Sequence, residues 1–229
     1  MNDDAQLIEQ RTGAYGDVAL RRRGGHYEII ANGCFLMDTS DGRSERLLVR
    51  AALDAVAEPQ GVRILIGGLG VGFSLAEAAA DARLGEIVVV EREQAVIDWH
   101  LGDDAPLRSF AGTGHTDPRT RIVHEDLADH LSAAHSHSAY DVLCLDVDNG
   151  PDWRVTEDNA DLYGTEGIVA MASALTEHGV LAVWSAARAD AFEHLLHAHF
   201  ARVEVLEAPV LGRGEPDVIY LATGSRARS

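Results

Sequence analysis

Lysine is absent from this sequence, so all 19 basic side chains are arginines. This absence excludes Schiff-base catalysis, anchoring of pyridoxal phosphate and the lysine of a P-loop. The two cysteines, Cys34 and Cys144, lie in apolar segments and give no disulfide framework. No run of about 18 apolar residues occurs, and the acidic N-terminal stretch lacks the apolar core of a signal peptide. The sequence therefore predicts a cytoplasmic protein that makes no use of a membrane.

Positive charge is also scarce, because 37 acidic residues outnumber the arginines and give a formal net charge of −18. A chain this acidic repels the phosphates of nucleic acids, so we predict no nucleic-acid partner. A cationic ligand would instead be attracted. With 229 residues, of which 46% are apolar, the chain is long enough to bury one sizeable core.

Strands and helices alternate from residue 62 onward, which predicts a doubly wound, mostly parallel α/β sheet. Continuous apolar runs such as VRILIG and EIVVVE indicate strands buried on both faces. Two final strands, RVEVLEA and DVIYLAT, have no helix between them and indicate an antiparallel edge. The helix predicted in EGIVAMASALTEHG ends at Gly179. Ahead of this sheet, two β-rich runs flank Asn32-Gly33, a dipeptide typical of a β-hairpin turn. We predict a tail and hairpin region over residues 1–45 and an α/β domain over residues 46–229.

Ligands of such sheets bind at the carboxyl ends of the strands. The first strand ends in GGLGVG, whose glycines let the backbone approach a ligand at a helix N-terminus. Their spacing departs from the dinucleotide fingerprint G-x-G-x-x-G. A carboxylate after the second strand can accept hydrogen bonds from ribose hydroxyls, and one after the third can accept from an adenine amino group. The predicted cofactor-binding residues are Gly67, Gly68, Gly70, Gly72, Glu91, Glu125 and Asp126.

The fourth strand ends in an acidic loop, LCLDVDNGPDW, over residues 143–153. Carboxylates packed together repel one another, so a cation or a proton has to use this loop. The same oxygens could chelate Mg²⁺ or Ca²⁺, although their spacing does not match an EF-hand. Trp153 either borders a cationic substrate through a cation–π contact or packs on the core. The histidine-rich stretch HLLHAH does not place three ligands on one helix face, so we predict no metal site there.

A glycine loop followed by acids at three successive strand ends resembles the S-adenosylmethionine-dependent methyltransferase fold. From about residue 26 onward, the chain is similar to the polyamine aminopropyltransferase (spermidine synthase) family. YEIIANGCFLMDTSDGRSERLLVRAAL resembles the family's hairpin and first helix, IGGLGVG its cofactor loop, and YDVLCLDVDNGPDW its strand and acidic loop. The element that follows this loop in the family resembles Leu162, Tyr163, Gly167 and Ile168.

This resemblance implies transfer of an aminopropyl group from decarboxylated S-adenosylmethionine to a small-molecule amine. Decarboxylated or ordinary S-adenosylmethionine would be a co-substrate, with no tightly bound cofactor and no metal. Asp146 and Asp148 would flank the attacking amine as proton acceptors, and Asp152 would hold a distal ammonium group. A homodimer is also implied. The other substrate-binding residues in this interpretation are Asn149, Trp153, Glu45 and Tyr163.

Several positions depart from the family pattern. Val71 or its neighbours stand where the family has an aspartate that contacts the aminopropyl nitrogen, and Leu36 stands where it has a glutamine. Where the family has Tyr-His-Glu, this chain has Arg43, Ser44 and Glu45. Two alternatives therefore stay open: a methyltransferase that uses ordinary S-adenosylmethionine, and a non-catalytic binding protein that has kept the fold.

Overall fold

The structure is a computed structural model that describes residues 5–57, 60–134, 140–147, 149–152, 161–210 and 214–226. Two of the predicted site residues, Asp148 and Trp153, lie outside these ranges. Within them, no helix has both the length and the apolar character needed to cross a membrane.

The N-terminal part folds into a four-stranded antiparallel sheet in the order β1-β2-β3-β4. The strands are β1 (Gln6–Gly13), β2 (Gly16–Arg23), β3 (His26–Ala31) and β4 (Cys34–Asp38). The predicted hairpin is β3–β4, and Asn32 at its turn has a φ of +50°. Strands β1 and β2 were not predicted from the sequence. In β2, Val18 and Leu20 are buried while their neighbours are more exposed, which is the alternation of a half-buried strand.

The larger sheet has seven strands in the order β10-β11-β9-β8-β5-β6-β7. Neighbours from β9 to β7 pair in parallel, whereas β11 pairs antiparallel with both β9 and β10. The predicted fold class, a mostly parallel sheet with an antiparallel edge, is confirmed. The strands are β5 (Val62–Gly67), β6 (Leu84–Glu91), β7 (Thr120–His124), β8 (Tyr140–Leu145), β9 (Leu175–Ser185), β10 (Phe200–Ala208) and β11 (Asp217–Ser225).

Six α-helices in the described ranges connect and cover these strands. One predicted boundary was wrong, because α5 ends at Ala174 and not at Gly179. Leu175 already pairs with Tyr140 of β8, so strand pairing overrides the helical pattern of the last five residues. The helices are α1 (Arg43–Asp54), α2 (Phe73–Ala80), α3 (Gln94–Asp98), α4 (Leu127–Ala134), α5 (Thr165–Ala174) and α6 (Asp190–His199), with 3₁₀ turns at Arg108–Ala111 and Gly114–Thr116.

The core is divided between the two faces of the seven-stranded sheet. On one face, α1, α2 and the N-terminal sheet bury side chains such as Leu48 and Leu20 against Ile66. On the other face, α5 and α6 bury Met171 and Phe192. The N-terminal sheet packs with the first of these layers, and residues of its strands β2, β3 and β4 line the cleft described next.

Candidate active site

The strand register brings the predicted site residues to one edge of the sheet. Gly67 of β5 pairs with Val90 of β6 on one side and with Leu145 of β8 on the other. The next residues along these strands, Gly68, Glu91 and Asp146, therefore leave the sheet side by side. This is the edge at which parallel α/β sheets bind ligands.

A cleft of about 550 Å³ lies between this edge and the N-terminal sheet. Its volume is typical of small-molecule sites. Of the described residues, Asp152 is exposed and Tyr163 is buried, and neither lines the cleft. The predicted site residues that do line it are Glu45, Gly68, Gly70, Glu91, Glu125, Asp126, Asp146 and Asn149.

The glycine loop requires its glycines because other parts of the molecule approach it closely. Gly68 has a φ of +93°, and a Cβ atom there would lie 2.3 Å from the carbonyl oxygen of Asp146. A Cβ atom on Gly72 would lie 2.8 Å from the buried His100 ring. Burial lowers the pKa of His100 to about 4, so the ring is neutral at neutral pH. Its Nε2 atom lies 2.9 Å from the carbonyl oxygen of Gly70. In the neutral tautomer that carries the hydrogen on Nε2, the ring donates a hydrogen bond to this oxygen and holds the loop.

Glu91, at the end of β6, is buried and clamps the glycine loop. One carboxylate oxygen accepts from the backbone N–H of Leu69 at 2.9 Å, and the other accepts from that of Glu93 at 2.8 Å. A carboxylate offers about four acceptor positions, so two are already used by the protein. The remaining acceptor positions can accept hydrogen bonds from hydroxyl groups of a ligand in the cleft.

The two acids after β7 make local contacts at the same end of the cleft. Glu125 accepts from His130, whose Nδ1 atom lies 2.7 Å from the carboxylate. Asp126 accepts from the backbone N–H of Ala128 at 2.8 Å, in the first turn of α4. Both side chains also line the cleft, so each has a structural contact and a ligand-facing position.

The described part of the acidic loop is fixed to both layers of the molecule. The amide of Asn149 donates to the carbonyl oxygen of Phe35 in β4, at 3.3 Å. The hydroxyl of Tyr163 donates to the carbonyl oxygen of Val147, at 2.6 Å. Tyr163 thus holds the loop backbone from the buried side, away from the cleft. Its predicted role in substrate binding, like that of the exposed Asp152, stays a prediction.

The charge of Asp146 acts on a second carboxyl group, that of Glu45 in α1. Ser74 at the start of α2 contacts both residues, since its hydroxyl lies 3.3 Å from the Asp146 carboxylate and 3.4 Å from the backbone carbonyl oxygen of Glu45. Burial raises the pKa of Asp146 to about 7, with further increases from the charges of Asp217 and Glu91. Burial, then the charge on Asp146, raises the pKa of Glu45 to about 8. The cluster therefore retains a proton at neutral pH, which a cation that binds there can replace.

Asp217 is the functional candidate that sequence analysis missed. It is buried, it lines the cleft, and its charge raises the pKa of both Asp146 and Glu45. It is the first residue of β11, which runs antiparallel to β9. The first residue of an antiparallel strand lies at the edge where parallel strands end. The predicted antiparallel edge indicated that one of the two final strands begins at the edge of the cleft. The sequence did not show which of the two runs opposite to the parallel strands, so Asp217 could not be identified from it.

The N-terminal sheet supplies an apolar wall opposite the strand ends. The Sδ atom of Met37 in β4 accepts from the backbone N–H of Val71 at 3.2 Å. A Cβ atom on Gly70 would lie 2.4 Å from the same sulfur. Leu36 also lines the cleft. The side of the glycine loop near Gly70 therefore meets a thioether. Within the described ranges, no group of three histidine, cysteine, aspartate or glutamate side chains is placed to hold a metal ion.

Together, the sheet order, the glycine loop and the row of acids define a methyltransferase-like α/β fold. No family model matches the sequence, and no curated protein matches it. Solved structures of spermidine synthases do match the fold. One, in complex with the transition-state analogue AdoDATO, has a TM-score of 0.76 and 15% identity, over 96% of this chain and 74% of that chain. The spermidine synthase from Thermotoga maritima has a TM-score of 0.73 and 15% identity, over 96% and 73% of the two chains. The chain therefore has the fold of spermidine synthases.

Proposed function

We propose that this cleft transfers an aminopropyl group from decarboxylated S-adenosylmethionine to a small-molecule amine. The observation that carries the proposal is the carboxyl cluster beside the glycine loop, formed by the buried Glu45 and Asp217 and the partly buried Asp146. Such a cluster attracts an ammonium group and can accept its proton. The spermidine synthases that share the fold support this reaction class, and one of them binds a transition-state analogue.

The reaction requires a neutral amine in front of a carbon bonded to the sulfonium. The amine nitrogen forms a bond to that carbon while the carbon–sulfur bond breaks. The electron pair of the broken bond goes to sulfur, so methylthioadenosine leaves as a neutral thioether. The proton lost from nitrogen goes to a carboxylate, for which Asp146 is our candidate because its pKa of about 7 lies near neutral pH. Direct displacement needs only positioning and electrostatic stabilisation.

The other residues have supporting roles in this proposal. Glu91 would accept the ribose hydroxyls, and Glu125 or Asp126 would accept the adenine amino group. Glu45 and Asp217 would hold the cationic acceptor, with Asn149 fixing the acidic loop next to it. Asp148, Asp152, Trp153 and Tyr163 keep their predicted roles as proposals. The same proposal includes a homodimeric, cytoplasmic protein with an N-terminal unit over residues 1–45.

Methyl transfer from ordinary S-adenosylmethionine is the second candidate, and the lack of an acidic side chain in the glycine loop favours it. The loop carries no carboxylate that could pair with an aminopropyl ammonium, and the thioether of Met37 covers it near Gly70. Both donors carry a sulfonium methyl group and an ammonium group, but only ordinary S-adenosylmethionine has a carboxylate beside the ammonium, and a loop without an acid does not repel that carboxylate.

Calorimetric titration with S-adenosylmethionine, its decarboxylated form and methylthioadenosine, side by side, separates these candidates. Preference for the decarboxylated form supports aminopropyl transfer, and mass spectrometry of a panel of amines then identifies the product. Preference for the ordinary form favours methyl transfer. Binding without transfer to any amine would leave a non-catalytic binding protein, and binding of none of the three would contradict both enzymes.

A further inference from the structure

The turn between β1 and β2, which sequence analysis did not identify, reaches the cleft. Tyr15 in this turn lines the cleft together with Arg92, the residue after Glu91. The guanidinium carbon of Arg92 lies 4.7 Å from the centre of the Tyr15 ring, within cation–π distance. An element of the N-terminal sheet thus meets the end of β6 at the point where the proposed ribose acceptor stands.

The position of Tyr15 is fixed by contacts on both sides of its turn. On one side, Glu9 of β1 accepts from the indole N–H of Trp99 at 2.7 Å, and Arg11 pairs with Asp98. These two contacts attach β1 to the end of α3. On the other side, the Asn32 amide donates to the carbonyl oxygen of Tyr15 at 3.1 Å.

Asn32 also joins the two hairpin turns of the N-terminal sheet. The side-chain oxygen of Asn32 accepts from the backbone N–H of Asp17 at 2.9 Å, and the backbone N–H of Asn32 donates to the carbonyl oxygen of Asp17 at 2.8 Å. A Cβ atom on Gly16 would lie 2.0 Å from the same side-chain oxygen, so the packing there requires glycine. The turn is therefore held in place before any ligand arrives.

The surroundings of Tyr15 suit a flat ring with an amino group. Three aromatic residues, Tyr15, Phe35 and Trp184, are among the described lining residues. Burial, and then the charge of Asp126, raises the pKa of Tyr15, and both side chains line the cleft. Apolar Val96 and Leu127 line the cleft as well. An aromatic ring, apolar side chains and a carboxylate acceptor together are the chemistry that recognises an amino-bearing nucleobase.

We propose that Tyr15, carried by the β1–β2 turn and held by Arg92, covers the nucleobase of the adenosyl ligand and contributes to its selection. This inference rests on the proposed function, in that the ligand is an adenosyl compound. Arg92 covers one face of the tyrosine ring, and the base stacks on the other. The N-terminal sheet then has a role in donor binding as well as in bordering the acceptor side.

Calorimetric titration of methylthioadenosine into the full chain tests the role of Tyr15. Stacking of a base on an aromatic ring contributes enough that Tyr15→Ala is expected to weaken binding by about 5- to 150-fold. Tyr15→Leu keeps apolar bulk but not the flat ring, and should bind more weakly than Tyr15→Phe. Arg92→Ala should weaken binding by about two- to fivefold, since a cation–π pair that is only partly buried is weak. Melting temperatures show whether each variant is folded.

A matched control is present on the same sheet. Arg22 lies 6.0 Å from the ring of Tyr27, and neither residue lines the cleft. Arg22→Ala removes a similar pair and should bind methylthioadenosine as the wild type does. Unchanged affinity in both Tyr15→Ala and Tyr15→Leu would overturn the inference while leaving the proposed function in place. A wild-type chain that binds no methylthioadenosine would overturn both. If the wild type bound methylthioadenosine but transferred no aminopropyl group, and the Tyr15 variants bound it more weakly, only the proposed transferase activity would be overturned.

Discussion

Glu91 accepts a hydrogen bond from the backbone N–H of Leu69 at 2.9 Å, so the carboxylate that ends β6 holds the glycine loop that follows β5. The same carboxylate lines the cleft. One side chain therefore shapes the loop and faces the ligand. Glutamine at this position keeps one acceptor oxygen but introduces an N–H group opposite a backbone N–H.

Glu91→Gln is expected to weaken methylthioadenosine binding by about 10- to 150-fold, because hydrogen bonds to a charged group are lost. Calorimetric titration measures the change. Glu86 provides the control, since it lies on the same strand but is only partly buried, pairs with Arg63 and does not line the cleft. Equal affinities of Glu91→Gln and Glu86→Gln would contradict a ligand-binding role for Glu91.

Asp146→Asn should lower the rate of transfer by about 10²- to 10⁴-fold, the usual contribution of a general base. Binding of methylthioadenosine, which lacks the attacking alkyl amine, should change far less. Single-turnover kinetics and calorimetry together separate the two effects. Asp103→Asn changes a fully exposed carboxylate and serves as the control. If transfer by Asp146→Asn were as fast as that of the wild type, another group would have to accept the proton.

Stability and transfer should respond to pH in opposite directions. The pKa values of Asp146 and Glu45 rise from ordinary values of 3.8 and 4.5 to about 7 and about 8 in the folded chain. The folded chain thus keeps protons that the unfolded chain has released, so the free energy of unfolding falls as pH rises from about 4 to about 8. Over the upper part of this range kcat/KM should rise, since the carboxylate form accepts the proton.

Melting temperature and kcat/KM, each followed against pH, test this relationship. The double variant Asp146→Asn, Glu45→Gln removes both titrations and should lose less stability than the wild type on going from acidic to weakly alkaline pH. A wild-type melting temperature whose pH dependence matches that of the double variant would show that these two groups do not titrate as described.

Asp217→Asn is expected to move the acidic limb of the rate profile to lower pH. Its negative charge raises the pKa of both Asp146 and Glu45, so its removal lowers the pKa of each. The KM for the amine should also rise, because one of three attracting charges is gone. Measuring kcat/KM against pH for Asp217→Asn and the control Asp103→Asn decides the point. An unshifted profile with unchanged amine KM would place Asp217 outside the reacting cluster.

Gly68→Ala is expected to destabilise the chain by about 1–3 kcal/mol and to weaken nucleoside binding. Alanine is strained at a φ of +93°, and its Cβ atom would meet the Asp146 carbonyl oxygen. Gly24 is the matched control, with a φ of +57° and no atom within 4 Å of a built Cβ. Urea unfolding should show a smaller loss for Gly24→Ala, with methylthioadenosine affinity unchanged. Similar losses in both variants would attribute the effect to backbone strain alone.

The sequence carried enough information for the sheet and for most of the row of acids. Buried parallel strands are continuous apolar runs, so β5, β6 and β8 could be located from VRILIG, EIVVVE and YDVLCLD. The ends of parallel strands share one edge, which predicted that Gly68, Glu91 and Asp146 converge. The β1–β2 hairpin could not be recognised as easily. It is largely exposed, its residues are mostly polar, and its sheet becomes visible only through pairing.

By itself, the sequence determined the fold class and the acidic character of the cleft, because apolar periodicity and strand-end residues are local features. Tertiary structure decided which acids act together. Glu45 and Asp217 are 172 positions apart in the chain, yet the charge of Asp217 raises the pKa of both Glu45 and Asp146, because α1 packs on the sheet and β11 runs antiparallel. The raised pKa values depend on burial and on neighbouring charge, and both are properties of the packed molecule. The same holds for Tyr15, which reaches the cleft only because β1 is anchored to α3.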